Sequence, residues 1–228
     1  MSANPLLDYF NNNENRMMHK WMHYFEIYHQ HFSVYCGKSP VVLEFGVSHG
    51  GSLQMWKNYF GPGARIYGVD INPQCKQLEE EGIQIFIGDQ EDENFLRRIA
   101  DEIGPVQILI DDGGHTMKQQ IKTFETLYSL VTLPGVYLVE DTHTSYWTQF
   151  GGGIRKSRTF MEYSKKLIDH LNAWHIYSRK NGFNLSPKIE ANDFTKSTYS
   201  MTFYDSVVVF EKRKMEKPEV RKTGNRSF

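Results

Sequence analysis

The sequence predicts an α/β fold, with a mostly parallel sheet covered by helices on both faces. Three observations support this prediction. Short apolar runs alternate with helix-like stretches from about residue 41 onward, and most of these runs end at an acidic residue or a glycine. Two closely spaced apolar runs, at residues 199–204 and 207–210, flank Asp205 and Ser206 and predict a hairpin. The expected sheet therefore has seven strands, one of them antiparallel.

Each element has its own signal in the pattern. The predicted strands are continuous apolar runs, as expected for strands buried on both faces, at residues 41–45, 65–69, 83–87, 106–110 and 136–139. The predicted helices lie between and after them, at residues 53–59, 73–81, 95–103, 117–131 and 160–171. The fourth of these helices shows an amphipathic spacing of four, three, four and three residues between its apolar positions.

The two ends of the chain differ from this middle domain, which we place at residues 36–212. Large apolar side chains between residues 14 and 32 follow the spacing of one helical face, so residues 1–35 are expected to form a helical segment. That segment is a helix packed on the domain, a lid or a subunit interface. Residues 213–228 are basic and poor in apolar residues, which predicts a disordered tail.

Composition excludes several classes of function. The 228 residues are 39% hydrophobic and 23% charged with a formal net charge of −1, which is typical of a globular protein without a general attraction to nucleic acid or anionic membrane. We expect neither a membrane span nor a secretory signal. Two cysteines are too few for a disulfide framework, so a cytoplasmic location is expected.

Acidic and glycine residues at the ends of the first three strands predict a cofactor site. The first strand contains Glu44 and leads into a loop with three glycines between residues 46 and 51, and the next two strands end at Asp70 and Asp89. Asp70 is placed to bind ribose hydroxyls, Asp89 an adenine amine and Glu44 an amino group. The loop lacks the full dinucleotide fingerprint, so the ligand is expected to be S-adenosylmethionine. A cap or turn role for each acid taken singly stays open.

The predicted cofactor-binding residues are these: Glu44, Gly46, Gly50, Ser52, Asp70, Asp89 and Asp111.

The ends of the fourth and fifth strands carry a second acidic cluster. Asp111 and Asp112 precede Gly113, Gly114 and His115, and Glu140 and Asp141 follow the fifth strand. Because the carboxyl ends of parallel strands meet at one edge, Asp112, Glu140 and Asp141 are expected to converge there. Hard oxygen ligands of this kind suit Mg²⁺. The alternatives are that these acids cap the helix near Thr116 or the turn after Asp141.

These motifs carry a family resemblance. The sequence Asp-Asp-Gly-Gly-His at 111–115, the sequence Glu-Asp-Thr-His-Thr-Ser-Tyr-Trp at 140–147 and the stretch at 203–209 resemble class I S-adenosylmethionine-dependent methyltransferases. More narrowly, they are similar to the metal-dependent sugar O-methyltransferases of macrolide biosynthesis. The resemblance implies a Rossmann-like fold, a sugar or glycoside substrate and self-association. It also implies that Asp112, Glu140 and Asp141 bind Mg²⁺ and that His115 is the general base.

The chemistry of the residues is compatible with that reaction. A sugar hydroxyl has a pKa far above neutrality, so it needs a metal ion and a base to become a nucleophile. His143 is a rival base, and a structural role is its main alternative. Tyr146 and Trp147 are expected to stack on a sugar ring. Two other functions stay open at this point: methylation of a different diol such as a catechol, and a non-catalytic partner protein that keeps the fold.

Overall fold

The computed structural model describes residues 4–176 and 189–228. Within these ranges one sheet contains the strands β1 Val41–Phe45, β2 Arg65–Asp70, β3 Ile83–Ile87, β4 Val106–Asp111, β5 Val131–Val139, β6 Thr198–Tyr204 and β7 Val207–Lys212. The strands lie in the order β3-β2-β1-β4-β5-β7-β6, with β7 antiparallel to both of its neighbours. The predicted sheet of seven strands with one antiparallel strand is therefore confirmed.

Helices cover both faces of this sheet, as predicted. The α-helices of the described residues are α1 Pro5–Asn11, α2 Tyr24–Phe32, α3 Gly51–Phe60, α4 Glu93–Ile103, α5 Met117–Leu127, α6 Phe160–Leu171 and α7 Asp193–Ser197. The first three pack on one face of the sheet, where Tyr28 and Trp56 are fully buried. The next three pack on the other face, around Phe124 and Phe160. The predicted helix at residues 73–81 is a 3₁₀ helix, Pro73–Leu78.

The strand order creates a crevice between β1 and β4. The chain builds outward from β1 to β3 and then crosses to β4 on the opposite side of β1. Ligands bind at such switch points in open parallel sheets, beyond the carboxyl ends of the strands. Phe45 pairs with Asp111, which in turn pairs with Val139. The residues that follow β1, β4 and β5 therefore start from adjacent points of one edge.

The helix predicted over residues 14–32 is wrong in its first half. The helix α2 begins at Tyr24, and residues 12–23 of the described chain form neither helix nor strand. Met17 and Trp21 were counted on a buried helical face, but they are 60% and 55% exposed. The backbone of Arg16 and Met17 instead passes over Gly51, where a Cβ atom would lie 2.5 Å from both carbonyl oxygens. Tertiary contacts thus outweigh the local pattern, which is a weak determinant by itself.

The C-terminal residues extend from the end of β7 without regular structure. Residues 213–228 contain neither helix nor strand in the described structure and are mostly exposed, and their disorder stays a prediction. Among the described residues, none of the helices is both long and apolar enough to cross a membrane.

Candidate active site

A cleft of about 380 Å³ lies at the carboxyl edge of the sheet. Its lining includes residues from the ends of β1, β2, β3 and β4 and from the N-terminal segment: Met18, Lys20, Gly46, Asp70, Asp89, Gln90, Asp112, His115 and Asp141. Small-molecule sites in proteins have volumes of roughly 300–1,000 Å³. The cleft thus accommodates a ligand of nucleoside size, and its acidic lining suits a ligand that offers hydrogen-bond donors.

Asp70 fixes the backbone of the loop that follows β1. Oδ2 of Asp70 accepts hydrogen bonds from the backbone N–H groups of Val47 and Ser48, at 2.9 and 3.0 Å. Its Oδ1 accepts from Asn72 N at 2.9 Å. A carboxylate offers about four acceptor positions, of which backbone N–H groups use three here, and the Cys75 thiol is a further neighbour of Asp70. The predicted contact of Asp70 with both ribose hydroxyls stays a prediction. In such a complex the ribose and the loop would bind the same carboxylate.

Two glycines of this loop have the left-handed backbone that glycine adopts readily. Gly46 has a φ of 92°, and a Cβ atom there would lie 2.0 Å from the carbonyl oxygen of Asp112. Gly50 has a φ of 77° and is the N-cap of α3. Any side chain at Gly46 would separate the loop from β4, so this glycine is required by packing as well as by conformation.

Asp89 and Asp111 differ in their distance from the cleft. Asp89 lines it and accepts a hydrogen bond from Glu91 N at 2.8 Å. Asp111 is fully buried, and burial raises its pKa to about 7. Its Oδ1 accepts from Gln90 Nε2 at 2.6 Å, and Gln90 lines the cleft. Asp111 therefore acts on the cleft through Gln90, a residue that the sequence analysis did not single out.

Glu44 is buried beneath the loop. Its Oε2 accepts from Ser52 Oγ at 2.9 Å and from Trp56 Nε1 at 3.1 Å. Its Oε1 lies 3.7 Å from the ammonium nitrogen of Lys20. Burial raises the pKa of Glu44 to about 7, although Lys20 opposes this shift. The predicted contact of Glu44 with the amino group of a ligand stays a prediction; here the neighbouring amino group belongs to Lys20.

Asp112, His115 and Asp141 converge as a possible metal-binding group. One ligand atom from each of the three lies within 4.8 Å of the others. His115 Nε2 is 3.6 Å from Asp141 Oδ2 and 3.9 Å from Asp112 Oδ1. His115 and Asp141 both have left-handed backbones, with φ of 57° and 51°. Such conformations are uncommon outside glycine, and they concentrate at functional sites.

Glu140 lies on the other side of Asp112, around Lys20. Lys20 Nζ is 2.5 Å from Asp112 Oδ2 and 3.0 and 3.1 Å from the two carboxylate oxygens of Glu140. The side chain of Lys20 is 4% exposed. Burial opposes its charge, but Asp112, Glu140 and Glu44 more than offset this effect and raise the pKa of Lys20 well above its usual range. In this structure Lys20 therefore neutralises Asp112 and Glu140, and Glu140 lies outside the possible metal-binding group of Asp112, His115 and Asp141.

Lys20, Tyr24 and Tyr28 are site residues that the sequence analysis missed. Tyr28 OH donates to Glu140 Oε1 and Tyr24 OH donates to Asp141 Oδ1, both at 2.7 Å. The available signal was the spacing of four residues that puts two polar hydroxyls on one face of a predicted helix. The spacing does not predict that these hydroxyls contact Glu140 and Asp141 after β5.

The proposed acceptor side of the site contains aromatic residues. The ring of His143 contacts Trp147, with centroids 4.5 Å apart, and Trp21, with centroids 6.1 Å apart. His143 Nδ1 makes a hydrogen bond with Ser206 Oγ. Tyr146 and Trp147 are about half exposed; Tyr146 ends the 3₁₀ helix Thr142–Tyr146 and Trp147 follows it. They are thus available to a ligand, and Trp21 is an aromatic neighbour that the sequence analysis assigned to a helix.

The capping alternatives for the acidic pairs are excluded. The N-cap of α5 is Thr116, whose side chain forms a capping box with Gln119. Asp141 precedes the 3₁₀ helix Thr142–Tyr146, but its side chain makes no capping hydrogen bond there. Asp112, Glu140 and Asp141 therefore owe their positions to the cluster and not to helix ends.

Comparisons with known proteins found relatives of this chain. The chain is 35% identical over 198 residues to 8-demethyl-8-alpha-L-rhamnosyl tetracenomycin-C 2'-O-methyltransferase of Streptomyces olivaceus, covering 83% of this chain and 50% of the relative. It is 38% identical over 164 residues to mycinamicin VI 2''-O-methyltransferase of Micromonospora griseorubida, covering 68% of this chain and 41% of the relative. The chain is a homologue of sugar O-methyltransferases. No protein-family model matches it.

A solved structure shows the same fold. The MycE methyltransferase from the mycinamycin biosynthetic pathway, in complex with Mg and SAH, superposes with a TM-score of 0.78 at 32% identity. The match covers 92% of this chain and 54% of MycE. The class I methyltransferase fold expected from the sequence is thereby confirmed. The chain spans about half the length of the curated relatives it matches.

Proposed function

We propose that this protein transfers a methyl group from S-adenosylmethionine to a hydroxyl of a sugar or glycoside, in a reaction that requires Mg²⁺. The observation that carries the proposal is that a cofactor-sized cleft and a possible metal-binding group lie side by side at one edge of the sheet. A cleft lined by Asp70 and Asp89 continues into the group formed by Asp112, His115 and Asp141. When bound, S-adenosylmethionine supplies an electrophilic methyl group, and Mg²⁺ supplies positive charge that favours ionisation of a hydroxyl.

The proposed roles follow the position of each residue. Asp112, Glu140 and Asp141 would hold Mg²⁺, which would require Lys20 to release the hydrogen bonds that it makes to Asp112 and Glu140. Asp70 and Asp89 would bind the ribose and adenine, while Gly46 and Gly50 allow the loop to approach the ligand. Further cofactor contacts are assigned to these buried groups: Glu44, Ser52 and Asp111.

His115 is the proposed general base. It lines the cleft, and Nδ1 is buried without a hydrogen-bond partner among the described residues, while Nε2 faces Asp112 and Asp141. Nε2 would hold the proton that the acceptor hydroxyl releases. His143 is the second candidate, but its Nδ1 is already engaged by Ser206. We assign His143, Tyr146 and Trp147 to acceptor binding, because aromatic faces stack on sugar rings.

The names of the relatives support a glycoside acceptor, since one describes 2'-O-methylation of a rhamnosyl tetracenomycin and the other 2''-O-methylation of mycinamicin VI. A direct test combines calorimetry of S-adenosylmethionine binding with methyl transfer to a panel of glycosides and one catechol. We expect transfer to a glycoside, loss of transfer with EDTA and recovery when Mg²⁺ is added back. Transfer that survives full metal removal would contradict the magnesium role, and transfer to the catechol alone would contradict the sugar acceptor.

Self-association and a cytoplasmic location also stay proposals. Exposed apolar side chains of the N-terminal segment, Met17, Trp21 and Met22, support an interface with a second copy. Light scattering coupled to gel filtration would measure the mass in solution, and a monomer at all concentrations would contradict this part of the proposal.

A further inference from the structure

Two tyrosines of α2 each contact one of two consecutive acidic residues. Tyr28 OH donates to Glu140 Oε1, and Tyr24 OH donates to Asp141 Oδ1, at the same distance of 2.7 Å. Residues four apart on a helix lie on one face, about one turn from each other. Glu140 and Asp141 follow β5, where consecutive side chains point in different directions. One helix face therefore reaches both carboxylates, which β5 alone would leave divergent.

Tyr24 also holds the backbone of Asp141. The N–H of Asp141 donates to the hydroxyl oxygen of Tyr24 at 3.3 Å, and Ser206 Oγ lies 2.8 Å from the same oxygen. A carboxylate can only accept, so the single proton of Tyr24 goes to Asp141, and Ser206 is left as the donor to Tyr24. These contacts surround a residue with a φ of 51°, a conformation that needs support from its environment.

Both tyrosine rings are immobilised. Tyr24 and Tyr28 are 1% and 0% exposed, and their rings meet each other at 76° with centroids 6.1 Å apart. The ring of Tyr28 also packs edge-on against Trp56, with centroids 5.1 Å apart. A buried hydroxyl on a fixed ring cannot follow its acceptor, so it dictates the orientation of the carboxylate that it binds.

We infer that Tyr24 and Tyr28 are positioning residues that orient Asp141 and Glu140 toward a bound divalent cation. The inference rests on the proposed function, because it takes these two carboxylates as metal ligands. Each tyrosine bond uses one carboxylate oxygen. Asp141 Oδ2 stays on the side of His115, whereas both oxygens of Glu140 also accept from Lys20 Nζ, which a cation bound to Glu140 would displace. Loss of a partner that orients a metal ligand typically weakens metal binding about 10–100-fold.

The test measures Mn²⁺ binding to the protein without cofactor, by the loss of the free-ion electron paramagnetic resonance signal, with Mg²⁺ as competitor. Tyr24→Phe and Tyr28→Phe remove the hydroxyls and keep the rings. We expect each variant to raise the Kd for Mn²⁺ about 10–100-fold. The matched control is Tyr128→Phe, whose hydroxyl lies 2.7 Å from Thr198 Oγ1, and its Kd is expected to equal that of the wild type.

The outcomes separate this inference from the proposed function. Wild-type protein that binds Mn²⁺, with both variants within about twofold of it, overturns the positioning role and leaves the metal role intact. Wild-type protein that does not bind Mn²⁺ overturns both. Thermal unfolding of the metal-free variants checks that they fold, and if one of them does not, the other decides the inference alone.

Discussion

The carboxyl edge of the sheet carries two groups of site residues, which are held in place by different kinds of contact. The cofactor half, at the ends of β1 to β3, is held by contacts between neighbouring segments: Asp70 binds N–H groups 2, 22 and 23 residues away. The acid half, at the ends of β4 and β5, is held by the N-terminal segment. Its contacts join Lys20 to Asp112 and Tyr28 to Glu140, which are 92 and 112 residues apart.

The N-terminal segment also covers the loop of the cofactor half at Gly51, but the side-chain hydrogen bonds of Lys20, Tyr24 and Tyr28 to strand-end acids are all in the acid half. The acidic side chains after β4 and β5 need cations and donors to be buried together, since like charges repel and buried charges are costly. Lys20, Tyr24 and Tyr28 supply them only when the segment before β1 docks on the domain. The proposed methyl donor and the proposed metal thus depend on different side-chain contacts, which single substitutions can separate.

Of the substitutions considered, His115→Ala is expected to have the largest effect, on the rate of methyl transfer but not on cofactor binding. Removing a general base lowers the rate of transfer by about 10²–10⁴-fold. The affinity for S-adenosylmethionine should stay within a few-fold of the wild type, because the loop and Asp70 are untouched. Single-turnover transfer and calorimetry measure the two quantities. His143→Ala is the comparison, and a greater loss of rate in that variant would move the base to His143.

Lys20→Met is expected to destabilise the acid half. The change leaves the carboxylates of Asp112, Glu140 and Glu44 without their common cation. Removing one partner of a buried ion pair costs about 3–5 kcal/mol. Urea denaturation of the metal-free protein at pH 7 would measure the loss in free energy of unfolding.

Lys118→Met is the control for that substitution, since Lys118 forms an exposed pair with Glu91 and exposed pairs contribute about 0–1 kcal/mol. Equal losses in the two variants would show that the acid half does not need the N-terminal segment. Such a result would remove the distinction between the halves.

The same distinction explains what the sequence could predict. The strands were predictable because buried parallel strands are continuous apolar runs. The approach of Asp112 and Asp141 beside His115 followed from topology, because the ends of adjacent parallel strands share an edge, whereas the position of Glu140 around Lys20 did not. The contacts of Lys20 and Tyr24 were not predictable, because they join segments about 90–120 residues apart and depend on tertiary docking. The helical spacing before Tyr24 was misleading for the same reason.

Asp70→Ala tests the independence of the cofactor half. The variant loses the acceptor for the N–H groups of Val47 and Ser48 and the proposed ribose contact. Hydrogen bonds to charged groups contribute about 1.5–3 kcal/mol, so we expect S-adenosylmethionine to bind about 10–100-fold more weakly. The Kd for Mn²⁺ should not change.

Asp101→Ala, on the exposed side of α4, is the control for the cofactor measurement. Unchanged S-adenosylmethionine binding by Asp70→Ala would contradict the ribose assignment. A parallel loss of Mn²⁺ binding would show that the two halves are coupled through the loop after β1.

Glu44→Gln tests the contact between the two halves. Its expected effect, a change in the pH dependence of the free energy of unfolding, is the smallest of those predicted. Glu44 belongs to β1 of the cofactor half, but its carboxylate faces Lys20 of the acid half. Burial raises its pKa from 4.5 to about 7 in the folded protein. Between these values the folded state binds more protons than the unfolded state, so the free energy of unfolding falls as the pH rises. One such group contributes a slope of at most about 1.4 kcal/mol per pH unit.

Urea denaturation of the metal-free protein at pH values between 5 and 7 measures that slope. Glu44→Gln cannot ionise, so its free energy of unfolding should fall less steeply than that of the wild type. Asp111 and Glu140, whose pKa values burial also raises, titrate in both proteins, so the difference between the two slopes is the quantity compared. The exposed Glu219→Gln serves as the control. Equal slopes for Glu44→Gln and the wild type would mean that Lys20 keeps Glu44 ionised, which would assign Glu44 to the acid half.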